Sequence, residues 1–480
     1  MLFRTRLARR VRAAVDPVAA RLFPARPPGP AGRLDGVVRR FRPSSPAQAI
    51  VTGFFVAIAV GTGVLMLPVA KEGPGGASLL DALFTATSSV CVTGLITVDT
   101  PTYWTPFGHV VILVLIQLGG FGVMAFGALV GVLLAGRLGL RSRILAAAET
   151  KSSGFGDVRS VLVGVLKISV AVEALLALAL AARFMAGYGY PPGRALWHGV
   201  FHAVSSFNNA GFALYTDSLM GFVGDPWVCL PIALAVIIGG LGFPVLFELR
   251  RRYRPIHWSM NTKLVVFGSA VLLVGGTVFI TALEWANPAT LGALPPGERI
   301  LAGFFQSVVT RTAGFNSVDV GQMSPVSWMG MDILMFIGGG PAGTAGGLKI
   351  TTFAVLYFIL LTEVRGGVAV NIFGKRLSRA VHRQAITVVL LSVALVTAAT
   401  MALMLLSDFG QERILFEVVS AFATVGMSTG ITAGLPPAGQ VILIVLMFVG
   451  RLGPVTLASA LALRQRAPLY ELPKERPLIG

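Results

Sequence analysis

The chain has 480 residues, 55% of them hydrophobic and 12% charged, with a mean hydropathy of +0.78. Its repeated apolar runs of about twenty residues exclude a water-soluble fold, and they lack the strict alternation of an outer-membrane barrel, so the fold class is an all-α polytopic membrane protein. The net charge of +18 serves topology and lipid contact, because a nucleic-acid role would need a soluble domain to carry it.

Residues 1–46 open with "MLFRTRLARRVRAAVDPVAARLF", which is arginine-rich, poor in acids and amphipathic. Organellar transit peptides share that composition. A cytoplasmic arm lying on anionic lipid fits better, with Leu2, Phe3, Leu7 and Val11 toward the bilayer and "PARPPGPAGR" as the linker. Eight full spans are expected at 47–70, 106–136, 159–186, 226–248, 264–286, 325–361, 385–406 and 437–463. The segments 1–46, 137–159, 249–263, 362–384 and 464–480 then share one side and hold 30 of the 39 Lys and Arg but only 7 of the 21 Asp and Glu. The positive-inside rule makes that side cytoplasmic, with both termini inside an inner (cytoplasmic) membrane. Cys91 and Cys229 are too few for a disulfide framework and read as free thiols.

On the outer side, four segments at about 79–91, 193–206, 297–309 and 411–422 are too apolar for loops and too short to cross. Twelve helical residues reach about 18 Å, roughly half of the hydrocarbon core. Each can only enter and turn back, and irregular backbone at that depth is tolerated only when buried in protein or lining a cavity. After these segments come "VCVTGLITVD", "FNNAGFAL", "TRTAGFNSVD" and "ATVGMSTG". Each places a glycine after two small or β-branched residues: Gly94 after Val92 and Thr93, Gly211 after Asn209 and Ala210, Gly314 after Thr312 and Ala313, Gly426 after Thr424 and Val425. The glycines are separated by 117, 103 and 112 residues. That spacing predicts four units of span, half-helix, glycine loop and span, at 47–136, 159–248, 264–361 and 385–463, in a pseudo-fourfold arrangement around one pore. Carbonyls turned to a common axis would replace the hydration shell of a cation, and helix C-termini favour positive charge there.

The second spans repeat "LGGFG" at 118–122, "IGGLG" at 238–242, "IGGGP" at 337–341 and "VGRLG" at 449–453. Aligned, Gly120, Gly240 and Gly339 correspond to Arg451, a cation at mid-membrane and so functional by default. Glycines in such runs also serve close helix packing. In the third unit "FIGGGPAGTAGGLKITT" carries Gly338, Gly339, Gly340, Gly343, Gly346 and Gly347, one proline and Lys349. No helix continues through it without large cost, and a gate fits this flexible, cationic segment. It is not a phosphate-binding P-loop, since Leu348 precedes the lysine and no Gly-Lys-Ser/Thr follows.

These motifs, "CVTGL", "FNNAGFAL", "RTAGFNS", "ATVGMSTG", "GGGPAGTAGGLKITT" and "GRLGP", together resemble the Trk/Ktr/HKT superfamily of potassium transporters over residues 47–463, most closely its Ktr-type membrane subunit. The resemblance implies K+ uptake, a homodimer with one pore per protomer, and a cytoplasmic nucleotide-binding regulatory ring of the RCK type. It also implies that Gly94, Gly211, Gly314 and Gly426 are filter glycines, that Gly338 to Lys349 form the gating loop, and that Arg451 is the pore arginine. In related plant transporters a serine in the first loop goes with sodium transport; Gly94 keeps the potassium reading, with Na+ left as a possible coupling or activating ion. The long arginine-rich N-terminus departs from the Ktr pattern and leaves a Trk-type subunit as the alternative.

The chain carries no nucleotide motif and no paired intramembrane carboxylates; Glu173 and Asp332 stand isolated in their spans. Arg311 is placed to pair with Glu417 of the fourth half-helix. A secondary transporter for an organic solute would show two inverted halves. An enzyme would need a nucleophile with its base, or a metal cluster, yet His109, His198, His202, His257 and His382 are scattered. Only His198 and His202 share a helical face, which reads as packing, and no organic cofactor is implied.

Overall fold

The computed structural model describes residues 46–136, 158–251, 254–367 and 369–453. The expected N-terminal arm, the 137–159 segment, the end of the last span and the tail therefore lie largely or wholly outside the described residues. From Ile50 onward the described chain is one compact unit.

Its helices of more than four residues are α1 (Pro46–Leu65), α2 (Leu79–Val90), α3 (Pro106–Gly136), α4 (Val158–Tyr188), α5 (Pro192–Phe207), α6 (Pro226–Leu241), α7 (Phe243–Arg251), α8 (Met260–Glu284), α9 (Pro296–Thr310), α10 (Pro325–Phe336), α11 (Ile350–Val364), α12 (Arg379–Leu406), α13 (Gln411–Ala423) and α14 (Pro437–Leu452). A two-residue hairpin, β1 (Asn371–Ile372) with β2 (Lys375–Arg376), joins α11 to α12. Three helices are individually long and apolar enough to cross a membrane by length and composition: Leu162–Tyr188 within α4, α8 and α12. Their outward faces are bare hydrocarbon, with Leu175 72% and Leu405 87% exposed, a cost in water that lipid removes.

Two expected spans are not single helices. Residues 226–248 form α6 and α7, bent by 98° at Gly242, whose φ is 89°. Residues 325–361 form α10 and α11, separated by the glycine-rich segment. Helix α14 ends likewise before Gly453, φ 82°. Gly242 and Gly453 hold the same place in the repeated motif, and both adopt a backbone that glycine alone reaches freely.

Local sequence explains where the short helices begin. Ser78 caps α2 by accepting the Asp81 N–H at 3.1 Å, and its hydroxyl donates to the Asp81 carboxylate at 2.7 Å. α3, α6, α10 and α14 all open on proline, which has no N–H to lose and a pre-set φ. Asp225 caps α6 through the Trp227 N–H and also accepts from Arg183 Nε at 2.7 Å and Tyr188 at 2.9 Å. Burial pushes its carboxyl upward, but those hydrogen bonds prevail and hold it below the usual carboxylate range.

The half-helices α2, α5, α9 and α13 form the centre of one continuous hydrophobic core. Each of α3, α6 and α14 packs on its own half-helix and on the next in order: α3 on α2 and α5, α6 on α5 and α9, α14 on α13 and back on α2; α10 packs on α9 and α13. Close approach depends on the first glycine of each repeated motif. A Cβ at Gly119, Gly239 or Gly450 would fall 1.9, 2.1 or 1.7 Å from the carbonyl oxygen of Val90, Phe207 or Phe422 at a half-helix C-terminus. Small-residue packing is thus the role of these three.

Candidate functional site

The four loops that follow the half-helices share one backbone conformation. Val92, Asn209, Thr312 and Thr424 have φ between 50° and 77°, and the glycines two residues later, Gly94, Gly211, Gly314 and Gly426, have φ between 70° and 95°. Three of the four non-glycine residues are β-branched, for which a left-handed backbone costs of order 1–3 kcal/mol each. Strain repeated at four equivalent positions is maintained by the surrounding structure.

The loops meet in a closed ring. A Cβ placed on Gly94 would lie 2.4 Å from the Ala210 carbonyl oxygen, on Gly211 2.7 Å from that of Ala313, on Gly314 2.2 Å from that of Val425, and on Gly426 2.0 Å from that of Thr93. The order around the ring is therefore chain order, and the fourth loop closes onto the first. Meanwhile the N–H groups point back into the half-helices. Thr93, Ala210 and Val425 donate to the Ser88, Ser205 and Ser420 carbonyls at 2.7, 2.7 and 2.8 Å, and Ala313 to Val309 at 2.9 Å. With the N–H groups so committed, no donor among the described residues reaches the Thr93, Ala210, Ala313 or Val425 carbonyls. Four buried, underused oxygens in a ring suit a dehydrated cation.

Sequence reading missed the serines behind the ring. Ser88 and Ser420 accept the Gly94 and Gly426 N–H at 3.0 and 3.1 Å, and Ser205 donates to the Phe212 carbonyl at 2.8 Å. The signal was present, a serine six residues before the glycine in three loops; Val308 takes that place in the third. On one face the ring glycines line a cavity of about 380 Å³, whose wall includes Asp99, Asp217 and Asp319. Such a carboxylate-lined mouth concentrates cations.

On the other face lies the segment 337–349. Its Thr344 is tied in three directions: its N–H donates to the Gly239 carbonyl at 3.1 Å, its hydroxyl bonds the Asn209 amide at 3.1 Å, and its carbonyl accepts from Arg451 Nη1. Gly340 N–H donates to the Gly240 carbonyl at 2.8 Å. A Cβ at Gly346 would stand 2.0 Å from Thr424 Oγ1, so the segment presses directly on the fourth loop. A Cβ at Gly338, Gly339 or Gly343 would stand 2.1, 2.5 or 3.0 Å from the nearest carbonyl oxygen, whereas Gly347 has φ 62°. Lys349 Nζ donates to the Ala345 carbonyl at 2.6 Å. Arg451 is 6% exposed and its Nε and Nη2 find no hydrogen-bond partner among the described residues, leaving an incompletely compensated cation beside the ring.

Two expectations are corrected. Arg311 does not pair with Glu417: its guanidinium donates to Ser269 Oγ at 3.3 Å and the Gly338 carbonyl at 3.2 Å, while Glu417 accepts from Ser428, Thr429 and Thr432 of its own loop. Intraloop donors lie nearer to Glu417 than a cation one loop away. Glu173 is not isolated either, since Asn208 Nδ2 donates to it at 3.2 Å and Gln117 Nε2 at 3.4 Å. Asp332 Oδ1 has no hydrogen-bond partner among the described residues. No group of three or more His, Cys, Asp or Glu suited to a metal occurs among the described residues, and Cys91 and Cys229 are buried free thiols.

Comparison with known proteins gives one answer. The family model described as "TrkH: Cation transport protein" matches residues 44–467. "Ktr system potassium uptake protein B" of Bacillus subtilis is 40% identical, covering 87% of this chain and 93% of that protein. "Potassium/sodium uptake protein NtpJ" of Enterococcus hirae is 35% identical, covering 91% and 97%. Among solved structures, the potassium transporter TrkH from Vibrio parahaemolyticus superposes with a TM-score of 0.66 at 17% identity over 86% of this chain and 84% of that one, a likeness of fold. With 424 consecutive residues under the family model, the chain belongs to the TrkH family of cation transport proteins.

Proposed function

We propose that this chain is the ion-translocating membrane subunit of a Ktr-type potassium uptake system. The observation that carries the reading is the ring itself: four glycine loops closing on one another, with an acidic cavity on one face and a cationic segment on the other. K+ would enter from the acidic side, exchange water for the carbonyls of residues 92–94, 209–211, 312–314 and 424–426, and pass the 338–349 gate beside Arg451. With no nucleotide motif on the chain, uptake draws on the membrane potential, about 2.3 kcal/mol per charge per 100 mV. A homodimer and a cytoplasmic nucleotide-binding ring complete the reading, with lipid as the solvent and both termini on the cytoplasmic side of the inner membrane. The relatives' names support it, and it is not an enzyme's arrangement.

A less selective K+/Na+ transporter is the second reading. It is favoured by the unequal walls of the ring, where Val92, Asn209, Thr312 and Thr424 occupy equivalent places, and by the potassium/sodium name of the Enterococcus relative.

The test is growth of a potassium-uptake-deficient bacterium on limiting K+, with and without a co-expressed nucleotide-binding ring protein, together with rubidium and sodium uptake. Rescue with rubidium preferred supports the first reading, equal uptake the second, and no rescue under either condition removes both. Replacing Arg451 by Gln takes away the charge at the Thr344 carbonyl. Maximal rubidium uptake is expected to rise severalfold, since a charge barrier of about 1 kcal/mol corresponds to a factor near five; an unchanged rate excludes a barrier role.

A further inference from the structure

The two brace residues of the ring occupy the same place in two different loops. Glu417 lies nine residues before Gly426, and its Oε1 accepts the N–H of Thr429, the third residue after that glycine, at 3.0 Å. His202 lies nine residues before Gly211, and its Nε2 accepts the N–H of Leu214, again the third residue after the glycine, at 3.4 Å. Both side chains are fully buried. The His202 tautomer is fixed by its other nitrogen: Nδ1 donates to the His198 carbonyl at 2.7 Å, which leaves Nε2 free to accept. Its ring is held by Tyr215, stacked at 5.2 Å between centroids. Glu417 is fixed by the hydroxyls of Ser428 and Thr432, the latter at 2.9 Å. At the same position the first loop has Thr85, whose hydroxyl has no hydrogen-bond partner among the described residues, and the third has Phe305. Because the ring runs in chain order, loops two and four, which carry this buried brace, face each other across it. So do loops one and three, whose outer limbs are tied instead by Thr97 Oγ1 to Asp81 at 3.3 Å and by Asn316 N–H to Ser218 Oγ at 3.1 Å.

We propose that Glu417 and His202 are positioning residues that set the selectivity of the ring, each pinning the outer limb of its loop so that two opposed carbonyl walls keep a fixed separation. Discrimination between cations of different radius requires oxygens whose spacing does not relax around the smaller ion. One pair of loops, anchored across the axis by buried side chains of their own half-helices, supplies that stiffness. The inference rests on the reading of the ring as an ion filter and adds which side chains make it selective.

The experiment measures rubidium and sodium uptake in cells for Glu417→Met and His202→Leu, which keep bulk and remove the acceptor, and for Glu417→Gln and His202→Gln, which restore an acceptor oxygen. Thr85→Val is the control. The apolar variants are expected to lower the rubidium-to-sodium ratio by about tenfold, the scale of one lost buried hydrogen bond. The Gln variants are expected to return it toward the unsubstituted value, and Thr85→Val to leave it unchanged. A ratio that survives both apolar substitutions, or Gln variants that behave like the apolar ones, overturns the proposal. So does loss of both apolar variants from the membrane fraction, which would make the two residues determinants of folding. Failure of the filter reading is distinguishable, because the unsubstituted protein would then show no preference for rubidium to lose.

Discussion

Gly426→Ser is expected to lower rubidium uptake by at least about 100-fold and to erase the preference for rubidium over sodium in what remains. Gly426 has φ 95°, and a Cβ there would lie 2.0 Å from the Thr93 carbonyl oxygen and 2.9 Å from the Gly94 Cα. A serine must therefore both adopt a disfavoured backbone, at about 1–3 kcal/mol, and push the first loop away from the axis. A factor of 100 corresponds to about 2.7 kcal/mol, which the backbone strain alone approaches. The distances also predict an order. The nearest carbonyl would stand 2.0 Å away at Gly426, 2.2 Å at Gly314, 2.4 Å at Gly94 and 2.7 Å at Gly211, so serine substitutions should grow milder along that series. Gly275→Ala, with nothing within 4 Å, is the matched control. Uptake per molecule in the membrane fraction decides the matter, and a Gly426→Ser protein with unaltered selectivity would remove the fourth loop from the filter.

What the sequence revealed and what it hid follow from the range of each signal. Half-helices announce themselves through length and hydropathy, and the four glycines through common spacing, because both are written within a dozen residues. Helix breaks are harder. "LGGFG" and "IGGLG" are nearly the same word, yet the first stays helical through Gly122 while the second ends at Gly242. The difference is tertiary: Gly242 faces the Pro341 carbonyl and Phe243 N–H donates to that of Ala342, whereas among the described residues Gly122 meets only the Phe54 ring. The third unit's broken segment thus docks where the second unit's helix turns. Glu173 looked solitary for the same reason, its partners Gln117 and Asn208 lying 56 and 35 residues away. Thr344 carried no local mark at all, one threonine among glycines, and its importance rests on three contacts from three other parts of the chain.

Deleting Gly340 to Gly346 is expected to raise uptake in the absence of any regulatory partner by about tenfold, because the deletion removes the contacts that hold the segment against the ring. Ile337 and Leu348 form a parallel bridge, Gly338 N–H donates to the Leu348 carbonyl at 2.9 Å, and Ile350 N–H to that of Gly339 at 3.0 Å. Because the pairing is parallel, Gly347 lies beside the Phe336 carbonyl while Gly339 lies beside Ile350, about three residues or roughly 10 Å further along. Rejoining Gly339 to Gly347 therefore pulls this pairing apart and frees the whole segment. The piece removed contains Thr344 and with it the acceptor for Arg451, the partner of Asn209 and the backbone that abuts Thr424. A tenfold rise corresponds to a closed state favoured by about 1.4 kcal/mol over the open one, a modest demand for a segment with these contacts. Asn209 loses a hydrogen bond in the process, so the rubidium-to-sodium ratio must be read alongside the rate. A higher rate at an unchanged ratio places the barrier in the segment. A higher rate at a collapsed ratio means that the segment holds the second loop in shape instead, and an unaltered rate means that it does not obstruct the path.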